Sequence, residues 1–159
     1  MPHFTRETFY DTQIGMLIGR SAILKDRVLD KHLEEFGVTA AQFKVLIIVA
    51  RWDVHSPAEL CRHIALDSGS MTRMLDRLEQ KGLIERQRSA ADRRQVKIEL
   101  SEAGQQLADR FPEVGAKAMN ELVGVLEGAE LDELERILRK ILTHAGDPMV
   151  CWYPGVNEK

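Results

Sequence analysis

The chain is 159 residues long, 44% apolar and 30% charged, which is enough for one domain with a real core and an ordinary globular balance. No apolar run approaches the roughly 18 residues of a membrane span, no secretory h-region opens the chain, and the two cysteines, Cys61 and Cys151, make no disulfide framework, so a cytoplasmic protein is expected. The net charge of −3 hides a segregation: residues 62–97 carry nine Lys/Arg against five Asp/Glu, residues 99–147 five against eleven, so one segment can meet a polyanion while another keeps the protein soluble.

Residues 12–36 read as a first helix, with Ile14, Leu17, Ile18, Ile23, Leu24, Val28 and Leu29 at near-helical spacing and Gly37 as its stop. In "VTAAQF", Thr39 and Gln42 make a capping box and Val38 and Phe43 a hydrophobic staple. The helix that follows, "AAQFKVLIIVAR", is apolar almost all round and should be buried. "SPAELCRHI" starts a short third helix, with Ser56 as cap, Pro57 at the first helical position and Glu59 completing the box. In "LDSGSMTRMLDRLEQKG", Asp67 caps a fourth helix, with Leu66 and Met71 as staple and Gly82 as stop. Its inward stripe is Met71, Met74, Leu75 and Leu78. Gly69, Arg73, Asp76, Arg77, Gln80 and Lys81 fall outside, with Thr72 at the border.

"LIERQRS" and "QVKIELS" read as two strands, the second alternating Val96, Ile98 and Leu100 with polar residues. The connecting "AADRR" has no glycine and is no two-residue hairpin. A long helix follows from Ser101, with Leu107, Phe111, Val114, Ala118, Leu122 and Val125 on one face and a kink expected at Pro112. "LDELERILRKIL" is the last helix. Leu131, Leu134, Leu138 and Ile141 form its stripe, and Asp132–Arg136 and Glu135–Arg139 are i,i+4 pairs. The tail, residues 146–159, is irregular. Its Trp152 and Tyr153 read equally as a loose end or as a contact with a partner subunit.

The fold class expected is mainly α with a small β-hairpin: a winged helix-turn-helix plus helical dimerisation regions. In such a motif the second helix of the pair enters the major groove of double-stranded DNA. Here its first turn holds Ser68, Gly69 and Ser70, small residues that let the backbone approach, followed by Thr72, Arg73 and Arg77 for bases or phosphates. The hairpin is then a wing. An arginine at its tip can enter the minor groove, and Asp92 can orient Arg93 or Arg94. The winged helix, residues 37–100, is complete before the long helix begins. Residues 1–36 and 101–145 therefore need another role, and dimerisation is the one expected.

"TAAQFKVL", "TRMLDRLEQKGLIER" and "DRRQVKIELSEAG", with "KDRVLDKHL" in the first helix, resemble the MarR family of bacterial transcriptional regulators over residues 10–143. The resemblance implies a homodimer with interleaved first and last helices on a near-palindromic operator. It implies repression of efflux or aromatic-compound genes, relieved by a small phenolic or lipophilic anion. It places Thr72, Arg73 and Arg77 on DNA and makes Arg94 the wing-tip residue supported by Asp92. Thr72, Met74, Arg77 and Arg86 match positions where the family can hold an aromatic carboxylate. The peroxide-sensing branch needs a cysteine in the first helix, and this chain has none there.

No Gly-rich phosphate loop, nucleophile elbow or convincing carboxylate pair points to an enzyme. No cofactor and no metal are expected, because the His and Cys residues show no zinc spacing. The competing reading is a winged helix used as a protein-interaction module. That would require an apolar or acidic outer face on the fourth helix, where the sequence has Arg73, Arg77 and Lys81.

Overall fold

The computed structural model describes residues 3–52, 54–88, 96–147 and 150. After a 3-10 turn at Phe9–Asp11 come α1 (Ile14–Leu33), α2 (Ala40–Arg51), α3 (Pro57–Ile64), α4 (Ser68–Gln80), β1 (Ile84–Arg88), β2 (Val96–Leu100), α5 (Glu102–Val123) and α6 (Gly128–His144). This is the mostly helical winged helix that the sequence predicts. No helix among the described residues is long and apolar enough to cross a membrane.

α1 ends three residues earlier than its apolar spacing suggests. Glu34–Phe36 tightens into a 3-10 turn, and Gly37 closes it in the left-handed region at φ 63°, where a Cβ would be strained. The Thr39–Gln42 capping box forms in both directions, and Val38 and Phe43 are buried as its staple. α1 also holds the start of α2 directly. Asp30 Oδ1 accepts from Ala40 N at 2.6 Å, and Asp26 accepts from Lys44 at 2.9 Å. At α3 the Glu59 carboxylate takes the Ser56 hydroxyl itself at 2.7 Å, while Ser56 accepts the Glu59 amide.

β1 and β2 pair antiparallel, with Ile84 opposite Leu100 and Arg86 opposite Ile98. The alternation read in the second strand is real: Ile98 is buried and Val96 and Leu100 pack against the core. A contact that the sequence does not signal ties the wing to the helices. Ile98 N donates to the His55 carbonyl, and His55 Nδ1 meets Ile98 O, each at 2.8 Å. The buried cluster joins Val28, Leu29 and Leu33 of α1, most of α2, Leu60, Met71, Leu75, Leu78, Ile84 and Ile98 with Leu107, Phe111, Val114 and Ala118 of α5. The Phe43 and Phe111 rings meet edge-on, 4.4 Å apart.

Two details differ from the sequence reading. α5, with Pro112 inside it, ends at Val123, so Val125 lies past it, 87% exposed. Arg136 forks onto Glu133, at 2.7 and 2.6 Å, rather than onto Asp132, because two parallel bonds at i−3 are open to a planar guanidinium. Glu135–Arg139 forms as expected. The stripe of α6 is helical, and Leu131, Leu134, Ile137, Leu138, Ile141 and Leu142 all stay exposed, as do Ile14, Met16, Leu17, Ile18, Ile23 and Leu24 of α1, so the faces that the sequence reading assigns to dimerisation are uncovered in the single chain.

The start of α5 is pressed onto the turn before β1. Ser101 N donates to Leu83 O at 3.1 Å, and a Cβ on Gly104 would stand 1.9 Å from that same oxygen. Gly104→Ala should therefore destabilise the fold by about 1–3 kcal/mol through overpacking, despite the roughly 1 kcal/mol helix preference of alanine. A urea midpoint that is unchanged or raised would overturn this.

Candidate nucleic-acid interface

α3 turns into α4 through Ala65, which takes a left-handed conformation at φ 55°, and Leu66 N returns to Cys61 O. Asp67 caps α4. Its Oδ1 accepts Ser70 N at 2.9 Å and its Oδ2 the Ser70 hydroxyl at 2.6 Å. The Ser70 hydroxyl and amide hold the Asp67 carboxyl below the usual carboxylate range, so it is an anion at neutral pH. Arg73 Nη2 then donates to Ser70 Oγ at 3.1 Å. The guanidinium is laid back along the helix towards its N-terminus. Gly69 leaves room for this chain of bonds, since a Cβ there would come 3.2 Å from Asp67 Oδ1 and 3.6 Å from Arg73 Nη1.

Met71, Leu75 and Leu78 are buried, and Met74 packs against the core. Ser68, Gly69, Thr72, Arg73, Asp76, Arg77 and Gln80 are exposed. The Thr72 hydroxyl donates to Ser68 O at 2.8 Å. Arg77 has no hydrogen bond or ion pair among the described residues, so its cation is available to an anion. Lys81 is not part of this face: its ammonium reaches back to Gly37 O and to Gln42 Oε1.

Arg86 on β1 lies across α4. Its Nη2 meets Asp76 Oδ1 at 2.6 Å and Thr72 O at 3.5 Å, and its Nε lies 3.7 Å from Glu79. Among the four residues matched to a carboxylate site, Thr72 and Arg86 are thus adjacent. Arg86 already pairs with Asp76 and Glu79, Met74 packs against the core, and Arg77 has no partner among the described residues. The wing residues Asp92, Arg93 and Arg94 lie outside the described residues.

A second feature escaped the sequence reading because no single element signals it. A cavity of about 300 Å³ opens between α1, α2 and α5. Leu29, Phe43, Ile47, Phe111 and Met119 give it apolar walls, with Lys25 and Arg51 among its lining residues. Lys25 is 3.1 Å from Asp26, whereas Arg51 has no hydrogen bond or ion pair among the described residues. Such a space fits a small aromatic anion. No cluster of three His, Cys, Asp or Glu suited to a metal occurs among the described residues.

The MarR family model matches residues 38–96, the stretch from the staple of α2 to the start of β2. The multiple antibiotic resistance protein MarR of Escherichia coli K12 is 37% identical over 130 residues, covering 81% of this chain and 90% of that protein. A cysteine-to-serine variant of E. coli MarR in complex with operator DNA has a TM-score of 0.76 at 34% identity, over 87% of this chain and 99% of that one. A MarR family protein of Mycobacterium tuberculosis in complex with p-aminosalicylic acid has a TM-score of 0.67 at 25% identity, over 82% of this chain and 98% of that one.

Proposed function

Because the chain belongs to the MarR family and is a DNA-binding regulator of transcription, not an enzyme, we propose that it acts as a homodimeric repressor released by a small aromatic anion. Two copies of α4 enter the major groove of a near-palindromic operator, in half-sites about one helical turn, roughly 10 bp, apart. The observation that carries this reading is the exposed face of α4. It combines small residues in the first turn with two cations that, among the described residues, are held by no bond at Arg77 and by one exposed bond at Arg73. An interaction module would need an apolar or acidic surface there. In the wing, Arg94 reaches the minor groove with Asp92 orienting it and Arg93 beside it. Residues 37–100 read DNA, and residues 1–36 and 101–145 make the dimer. The regulated genes are those for efflux or aromatic-compound metabolism.

Selection from a random-duplex library tests the reading and should return a two-fold symmetric consensus. Thr72→Ala and Arg73→Ala should each relax it, by about 1–3 kcal/mol at any base that loses a bidentate contact. Since the Thr72 hydroxyl donates to Ser68 O, its contribution comes through an acceptor lone pair or its methyl group. A consensus unchanged by both substitutions would remove α4 from base reading. A single unrepeated site would contradict the dimeric mode.

The effector takes the cavity between α1, α2 and α5, with its carboxylate on Arg51 and its ring against Phe43 and Phe111. The support is the apolar wall with a cation that has no partner among the described residues and the p-aminosalicylic acid complex of the mycobacterial relative. p-Aminosalicylate should weaken operator binding by about 5- to 150-fold at saturation, and Arg51→Ala should abolish the response. A response that survives Arg51→Ala but not Arg86→Lys moves the site to Thr72, Met74, Arg77 and Arg86. If a panel of benzoates and phenols leaves affinity within twofold, the protein has no such effector.

A further inference from the structure

Gln42 is a buried polar side chain, 4% exposed, in the first turn of the largely apolar α2. Its Oε1 accepts from two donors of different origin: Thr39 N at 3.2 Å and Lys81 Nζ at 2.8 Å. The same ammonium donates to Gly37 O. Gly37 is the left-handed residue between α1 and α2, and Lys81 is the C-terminal cap of α4, its own amide bonding Arg77 O while Gly82 N bonds Glu79 O. One cation therefore joins the last turn of α4 to the joint of α1 and α2. The joint has few other freedoms, since Asp30 holds Ala40 N and Asp26 holds Lys44 across it. Phe43, next to Gln42, lines the cavity.

The geometry points to Lys81 and Gln42 as positioning residues for DNA binding: they hold the recognition helix in register with the α1–α2 joint, so that a displacement of α1 against α2 moves α4. The physical reason is that the buried Gln42 oxygen loses its charge-assisted donor when the joint shifts and keeps only Thr39 N, so the two ends move as a unit or the bond breaks. Lys81 thus acts on DNA through the placing of α4. A lysine that touched phosphate would act differently, through counterion release. This inference rests on the DNA-binding reading above.

The test uses the full-length protein and the duplex selected by the wild type. Gln42→Met removes the acceptor at similar volume, Gln42→Glu keeps an acceptor for both donors, and Lys81→Met removes the cation. Hydrogen exchange of the last turn of α4 in the free protein should quicken at least fivefold in Gln42→Met and Lys81→Met but not in Gln42→Glu. Operator affinity, read by anisotropy at two salt concentrations, should fall at least fivefold in Gln42→Met with an unchanged salt slope, and Gln42→Glu should stay within twofold of wild type. The double variant Gln42→Met, Lys81→Met should be no more than twofold weaker than the weaker single variant. Exchange unchanged at α4, affinity of Gln42→Met within twofold of wild type, or multiplying effects in the double variant would overturn the proposal. If the wild type itself selects no duplex, the DNA-binding reading fails, and the exchange measurement still decides the link between helix and joint. In the same assay, p-aminosalicylate should lose at least half of its fold-effect on operator affinity in Gln42→Met. An effect equal to that on wild type would remove the joint from the effector route.

Discussion

Leu134→Glu together with Leu138→Glu is expected to turn a dimer into monomers and to weaken operator binding by about 100-fold or more. Neither leucine is part of the buried cluster, and α6 buries no residue in the single chain. The substitutions therefore leave the winged-helix core intact while placing charge on the stripe that Leu131, Leu134, Leu138 and Ile141 share with Ile137 and Leu142. Apolar side chains of this size are worth about 1.5–3 kcal/mol each when fully buried, and a contiguous exposed patch of them marks an interface. The affinity loss follows from geometry. A dimer places its second α4 beside a second half-site at high effective concentration, and that linkage contributes about 10²–10⁴ in affinity. Sedimentation equilibrium and anisotropy on one duplex check both halves. A double variant that sediments as a dimer with wild-type affinity would place the interface elsewhere.

Arg94→Ala should weaken operator binding strongly and flatten the plot of log affinity against log salt by about 0.9 for each lost contact. Asp92→Ala separates two roles of the neighbouring acid. An aspartate that merely faces the phosphates repels them, and its removal tightens binding. An aspartate that orients Arg94 limits the guanidinium to the docking geometry, so its removal adds an ordering cost. Binding then weakens although the net charge becomes more favourable. The orienting role predicts weaker binding in both variants. Tighter binding by Asp92→Ala would remove the brace. The same titrations, extended to Arg93→Ala, show which of the adjacent arginines carries the salt dependence.

Much of the fold is legible in the chain because its signals are local. Thr39 with Gln42, Ser56 with Pro57, Asp67 with Ser70, and the glycines at 37 and 82 each declare a helix end through atoms within four residues. The structure forms every one of them. The alternation of Val96, Ile98 and Leu100 likewise carries its own register. The outward set on α4 was also readable, since helical periodicity alone sorts Thr72, Arg73 and Arg77 from Met71, Leu75 and Leu78.

Periodicity says which way a side chain points but not what waits there. Lys81 lies on the outer side of α4 by count, yet its long stem carries the ammonium to Gly37 and Gln42. Gln42 reads as a capping residue, which it is, while its second bond comes from a residue far along the chain. Arg86 matches a position that can hold a carboxylate, and packing of β1 on α4 gives it the carboxylates of Asp76 and Glu79. The cavity between α1, α2 and α5 belongs to no single element, since its walls come from three helices brought together by burial of Leu29, Phe43 and Phe111. Local hydrogen bonding and hydrophobic period thus determined the elements, their caps and the exposed face of α4. The partners of Lys81, Gln42 and Arg86, and the cavity between α1, α2 and α5, were decided by tertiary packing, because long-range contacts between side chains leave no period in the sequence.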